Sequence, residues 1–124
     1  MKEKTALVIG AGRGIGKAIA LRLAHDGFDM VGTASRDAAS LAEIKNLTES
    51  AGRHFTGLVF DVADRSAAAE ALNGCFGDDA PDVIVYNAGI ARDNLFVFMS
   101  PEEWDSVIRT NLDGFYNTVQ PLLM

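Results

Sequence analysis

Thr5-Ala6-Leu7-Val8-Ile9 runs into Gly10-Ala11-Gly12-Arg13-Gly14-Ile15-Gly16 and then into Lys17-Ala18-Ile19-Ala20-Leu21-Arg22-Leu23-Ala24. The apolar run reads as a buried strand and the third stretch as a helix, so a glycine-rich loop joins strand to helix. Glycines let the chain turn tightly and let phosphate oxygens approach backbone N–H groups. The free N–H groups and dipole of the helix start favour the anion. The spacing is not G-x-G-x-x-G, which meets Ile15 when counted from Gly10 and Lys17 when counted from Gly12. Nor is it a P-loop, which needs Gly where Ala11 stands and Ser or Thr where Ala18 stands. It is G-x-x-x-G-x-G, on Gly10, Gly14 and Gly16. These residues point to a nucleotide pyrophosphate site, with a purely structural turn as the alternative.

Outward from this loop the same unit repeats. Strand-like runs at Thr5 to Ile9, Asp29 to Thr33, Phe55 to Asp61 and Val83 to Asn87 alternate with helix-like runs at Gly14 to Asp26, Ala38 to Ser50, Ser66 to Phe76 and Pro101 to Leu123. Four βα units predict parallel strands joined by right-handed crossovers, with helices on both sheet faces and strand order 3-2-1-4. The last helix carries the clearest start signal: Ser100 as N-cap, Pro101 at N1 and Glu103 at N3. Trp104, Ile108, Leu112, Phe115 and Val119 form one apolar stripe on it, expected to be buried, and Pro121 is expected to limit or kink it. Val83-Ile84-Val85 would make an apolar open edge, and the sequence stops in Pro121-Leu122-Leu123-Met124 without a glycine stop or polar tail. Both features are expected of a chain that continues.

A length of 124 residues and 48% hydrophobic content suit one globular domain with a real core. Net charge is −6 with Lys and Arg scattered, which argues against a nucleic-acid or anionic-membrane partner. No apolar run reaches the length of a membrane span, and Met1-Lys2-Glu3-Lys4-Thr5 enters a strand without a signal-peptide core, so the expected location is cytoplasmic. The single Cys75 has no neighbouring base and reads as a packing residue. His25 and His54 stand in no metal-ligand spacing, so no metal is expected, and His25 near a helix end reads as a dipole partner.

Further markers fall at the carboxyl ends of the predicted strands, where open α/β sheets bind ligands. Asp61-Val62 ends the third and is placed to accept a hydrogen bond from an adenine amino group; the alternative is that Asp61 or Asp64 caps the next helix. Asn87-Ala88-Gly89 ends the fourth, where small residues let a flat ring or ribose lie close, though a plain turn would look similar. Asn111 sits mid-helix without a propensity reason, suited to serve a water or a backbone carbonyl.

Taken together these residues resemble the short-chain dehydrogenase/reductase family. Gly10-Ala11-Gly12-Arg13-Gly14-Ile15-Gly16 looks like its cofactor loop, Asp61-Val62 its adenine contact, Asn87-Ala88-Gly89 its Asn-Ala-Gly motif and Asn111-Leu112 its active-site Asn. The stretch Asn87 to Leu95, with Glu102-Glu103-Trp104 and Thr110-Asn111-Leu112, is particularly similar to bacterial 3-oxoacyl-[acyl-carrier-protein] reductases. The resemblance implies a Rossmann-like doubly wound α/β fold, of which residues 1–124 supply the N-terminal, dinucleotide-binding half. Three positions depart from the pattern: Ile9 stands where Thr is usual, Gly12 where Ser is common, and Tyr86 where a second Asn often precedes Asn-Ala-Gly. Ile9 and Gly12 remove hydroxyls that would brace the loop.

The resemblance further implies reduction of a 3-oxoacyl thioester, carried on acyl carrier protein, with NADP(H) as cofactor and a tetrameric homo-oligomer. An NAD site places an acid at the end of the second strand, whereas here that end reads Thr33-Ala34-Ser35-Arg36. Arg13, Ser35 and Arg36 suit a 2′-phosphate instead, although Asp37 follows at once. In the family a Tyr donates the proton, a Lys four residues later lowers its pKa, a Ser polarises the carbonyl and the Asn holds a water. Of this set only Asn111 is present. Tyr116 and Gln120 share the Tyr-x-x-x-Lys spacing, but Gln carries no charge. Two further readings stay open: a half-domain that only binds nucleotide or self-associates, and a reductase of another carbonyl substrate.

Overall fold

The computed structural model describes residues 3–88 and 96–123. Four parallel strands, β1 (Thr5–Ile9), β2 (Asp29–Ala34), β3 (Phe55–Val59) and β4 (Val83–Tyr86), form one sheet in the order β3-β2-β1-β4, as the alternation predicts. Helix α1 (Gly14–His25) crosses from β1 to β2, α2 (Ala42–Ser50) from β2 to β3, and α3 (Arg65–Phe76) from β3 to β4. Central β1 has neighbours on both sides, with Leu7 opposite Val31 of β2 and Ile84 of β4.

Both faces of β1 are covered, which is why it is apolar at every position rather than at alternate ones. Ala6 and Val8 pack on the face shared with Ala20, Ala24 and Ile44 of α1 and α2. Leu7 and Ile9 pack on the opposite face with Ala68 and Leu72 of α3 and with Leu122. Each of Leu7, Val8 and Ile9 is fully buried, a contribution of about 2 kcal/mol apiece. Cys75 packs against this second core, where burial pushes its thiol pKa up, as suits a packing residue. His25 ends α1, exposed, with Nδ1 3.5 Å from Asp26.

Two expected helices differ in detail. The run from Ala38 opens with one tighter 3-10 turn, Ala38–Leu41, before α2. Asp37 shapes that turn by accepting the Ser40 N–H at 3.2 Å. The larger difference lies in the last run, expected as one helix from Pro101 to Leu123. It divides into α4 (Pro101–Ile108), a π-helical turn (Arg109–Asp113), α5 (Gly114–Val119) and a 3-10 turn (Gln120–Leu123) that contains Pro121. The Ser100 cap forms as expected, its Oγ accepting the Glu103 N–H at 3.1 Å.

The structure overturns the expected burial of the apolar stripe. Trp104, Leu112 and Phe115 are each at least half exposed, while Gly114, Asn117, Thr118 and Leu122 face inward. These three apolar residues face outward before, within and after the turn, while the inward positions after it are taken by Gly114 and by the amide and hydroxyl of Asn117 and Thr118. Gly114 packs tightly against β4 and the β3–α3 loop. A methyl group there would collide with the Tyr86 hydroxyl and lie 2.7 Å from Val62 Cγ2.

One buried group in α2 is poorly matched to its surroundings. Thr48 is fully buried and its hydroxyl has no hydrogen-bond partner among the described residues. Replacing that hydroxyl by a methyl in Thr48→Val removes an unmet polar group at nearly constant volume, and is expected to stabilise the protein by about 1 kcal/mol, read as a higher denaturant midpoint at unchanged slope.

Candidate nucleotide-binding cleft

At the carboxyl ends of the strands lies a cleft of about 930 Å³, within the range of ligand sites. The β1–α1 loop contributes Gly10, Gly12, Arg13, Gly14 and Ile15, and the end of β2 contributes Ser35 and Arg36. Asp61 and Val62 enter from beyond β3, and Asn87 and Ala88 from beyond β4. Residues chosen from four separate stretches of sequence therefore line one cavity. Gly16 lies beneath the loop, where a methyl group would collide with the Gly10 carbonyl and sit 2.8 Å from Asn87 Nδ2. Asn111 belongs to the π turn and is not a lining residue, although Thr110 beside it is. Gly89 lies outside the described residues.

The start of α1 is open to an anion. Arg13, its N-cap, makes no side-chain capping bond, and the first turn carries no acid. The N–H groups there are left for water or a ligand, and the helix dipole adds partial positive charge. Gly14, with φ of +61°, turns the chain into the helix, and nothing stands within 4 Å of the place a side chain would take. Ile15 is 71% exposed at the mouth, an apolar surface for a ligand to cover.

The loop is braced despite the two missing hydroxyls. Thr33 of β2 accepts the Gly10 N–H on its Oγ1 at 3.2 Å and the Ala11 N–H on its carbonyl at 2.9 Å. A Cβ at position 12 would come within 2.8 Å of Ser40 Oγ, so the Ser40 side chain fills the space that a larger residue in place of Gly12 would need. Both Thr33 and Ser40 line the cleft, and neither was singled out from the sequence. Thr33 was visible as a hydroxyl in the apolar run Met30 to Ala34, whereas Ser40 carried no signal. Ser106 and Thr110 also line the cleft, and their four-residue spacing on the last helical run is the pattern that would have found them.

Asp61 and Asp64 have separate duties. Asp64 is the N-cap of α3 and accepts the Ala67 N–H at 3.1 Å, while exposed Asp61 turns the chain by accepting the Ala63 N–H at 2.9 Å. At the tip of β2, the Asp37 carboxylate is engaged by the Ser40 N–H. Neither Arg13 nor Arg36 forms an ion pair among the described residues.

Neither tyrosine is placed as a proton donor of ordinary acidity in the cleft. Tyr116 lies outside it, half exposed, with the Arg65 guanidinium 5.4 Å from its ring centre. Tyr86 is half-buried, its ring meeting Phe115 edge to face at 5.6 Å, and its hydroxyl donates to the Thr110 carbonyl. Burial first, and the negative charge of Asp61 second, push the Tyr86 phenol up to about 12. Among the described residues no group of three or more His, Cys, Asp or Glu is placed to hold a metal ion, and no helix is long and apolar enough to cross a membrane.

Comparison with known proteins fits this geometry. The family model for short chain dehydrogenase matches residues 4–124. The chain is 43% identical over 123 residues to the 3-oxoacyl-[acyl-carrier-protein] reductase FabG of Aggregatibacter actinomycetemcomitans, covering 98% of this chain and 51% of that relative. It is 42% identical over 126 residues to the enzyme of the same name from Pseudomonas aeruginosa, covering 99% and 50%. Among solved structures, a metagenomic short-chain oxidoreductase in complex with NADP superposes with a TM-score of 0.89 at 33% identity, covering 97% of this chain and 54% of that one. A mutant short-chain dehydrogenase/reductase of Serratia marcescens superposes at 0.90 and 26% identity, covering 97% and 49%. The chain spans about half the length of the curated relatives it matches.

The raised Tyr86 pKa gives a pH prediction. Between its ordinary value near 10 and the folded value of about 12, the native state keeps a proton that the unfolded chain loses. The stability it contributes is intact below about pH 10 and is lost as pH rises from there through 12. In Tyr116→Phe, Tyr86 is the one tyrosine left of the chain's two, so phenolate absorbance should reach its half-point near pH 12. A half-point near 10 would show that the burial does not hold.

Proposed function

This chain belongs to the short chain dehydrogenase family, and we propose that it forms the N-terminal, cofactor-binding part of an NADPH-dependent reductase of 3-oxoacyl thioesters. The reading covers residues 1–124 as part of a single domain that continues beyond them. One observation carries the cofactor half: β2 runs out into Ser35-Arg36, the carboxylate of Asp37, which also lines the cleft, is engaged by the Ser40 N–H, and both Arg36 and Arg13 are free of ion pairs among the described residues. The substrate half rests on the similarity to the two reductases named for 3-oxoacyl-[acyl-carrier-protein].

The residues present fit the cofactor. The uncapped start of α1 and the open space at Gly14 suit the pyrophosphate, Asp61 and Val62 suit the adenine, and Asn87 and Ala88 suit the ribose and ring beyond it. Gly89 completes that motif in the sequence. Arg13 and Arg36 offer planar, permanently charged donors to a 2′-phosphate, with Ser35 adding a hydroxyl. When bound, the nicotinamide supplies a hydride to the carbonyl carbon of the substrate. Asn111 holds a water for the proton path, and the Ser and the Tyr-x-x-x-Lys pair come from the remainder of the protein. Tyr86 and Tyr116 take no part in proton donation: one is held far above neutral acidity and the other stands outside the cleft.

The exposed Trp104, Leu112 and Phe115 on the last helical run support a homo-oligomer, proposed as a tetramer, in which this face meets a neighbouring subunit. The location is proposed as cytoplasmic. The chain's own net charge of −6 gives an acidic carrier protein no general attraction, so docking of that partner needs a local basic patch.

Two experiments test the reading. The complete protein should consume NADPH with acetoacetyl thioesters while the 124 residues alone should not; turnover by this chain alone would overturn the assignment of proton transfer to residues outside it. Arg13→Ala and Arg36→Ala should each weaken NADPH binding about tenfold or more while changing NADH binding by less than about twofold. Equal losses for both cofactors would remove the case for a 2′-phosphate site.

A further inference from the structure

The π turn has a specific hydrogen-bond exchange at its centre. In a regular α-helix the Gly114 N–H would bond the Thr110 carbonyl, four residues back. Here the Gly114 N–H reaches five residues back, to the Arg109 carbonyl. The Thr110 carbonyl, released from that N–H, accepts the Tyr86 hydroxyl instead. Gly114 leaves room for this, since a methyl group on it would meet the same hydroxyl. The Tyr86 ring is fixed from the side by the edge-to-face contact with Phe115. A strand residue thus reaches across to a helix backbone at the one turn where a carbonyl is given up, next to Asn111.

We propose that Tyr86 is a positioning residue for Asn111, its hydroxyl holding the Thr110 carbonyl so that the π turn keeps the Asn111 backbone and side chain in one pose beside the cleft. The inference rests on the functional reading above for what Asn111 does, but not for the hold itself. An Asn at position 86, the residue common in the family pattern, is too short to span from β4 to the turn in the same way. Because burial and Asp61 raise the phenol to about 12, the hydroxyl stays a donor throughout the pH range in which a reductase would work.

Tyr86→Phe in the full-length protein removes one O–H and keeps the ring on Phe115. The expected result is a kcat lower by about tenfold with the KM for NADPH and its Kd within about twofold of the parent. Amide hydrogen exchange should quicken in the segment 109–114 and stay unchanged in 14–25. A kcat within twofold of the parent overturns the proposal, as does unchanged exchange in 109–114. A fall in kcat matched by an equal rise in the NADPH Kd also overturns it, since that is collapse of the cleft rather than misplacement of Asn111. If the parent turns over no thioester, the functional reading fails on its own, and the exchange measurement alone decides whether Tyr86 holds the turn.

Discussion

The Cα of Gly16, in the first turn of α1, is pressed against the carbonyl of Gly10 and the side-chain amide of Asn87, leaving no volume for even a methyl group. This contact brings the start of a helix, the end of the central strand and the end of a neighbouring strand to one point. The Asn87 N–H bonds the Ile9 carbonyl at 2.8 Å, so the β4 end is tied to β1 immediately below the loop. Open N–H groups of α1 then face outward over the strand ends, and the cleft takes its floor from this junction. A larger side chain at position 16 would have to lift the helix, and with it every residue that approaches the cleft from the first βα unit.

The two sides of the sheet are completed by different means. On one side α1 and α2 lie against the strands with small residues such as Ala20 and Ala24, and the charged pair of half-buried Lys17 and exposed Glu43, 2.6 Å apart, links the two helices. On the other side the last helical run must approach β4 and the β3–α3 loop together. It does so by changing pitch: the π turn brings Gly114 close to Tyr86 and Val62 and turns Asn117 and Thr118 inward. The apolar Trp104, Leu112 and Phe115 of the same run stand on its outer surface.

The sheet and its order were legible because each strand announces itself by apolar runs between glycine or polar breaks, and because βα alternation leaves few topologies open. The lining of the cleft was legible to the extent that it sits at strand ends, which sequence position alone identifies. What escaped was three-dimensional. Thr33 and Ser40 reach the loop from β2 and the turn after it, a relation that no local spacing encodes. The π turn escaped because its cause is a pair of partners, Tyr86 and Gly114, 28 positions apart in the sequence, while the local pattern around Asn111 fits an ordinary helix. The stripe was assigned inward on apolarity alone, whereas the inward positions after the turn are held by Gly114, Asn117 and Thr118.

Asn117 gives the phase of that helix its permanence. It is buried, its Nδ2 donates to the Val62 carbonyl at 2.9 Å, and its Oδ1 accepts Arg65 Nε at 3.0 Å. Both ends of the amide are used, so neither a flip of the group nor a one-residue rotation of the helix preserves the pairing. An apolar residue in its place would fill the space yet accept several rotations almost equally well. The amide acts as a phase marker: it contributes less by its own strength than by making every other setting of the helix leave a buried dipole unanswered.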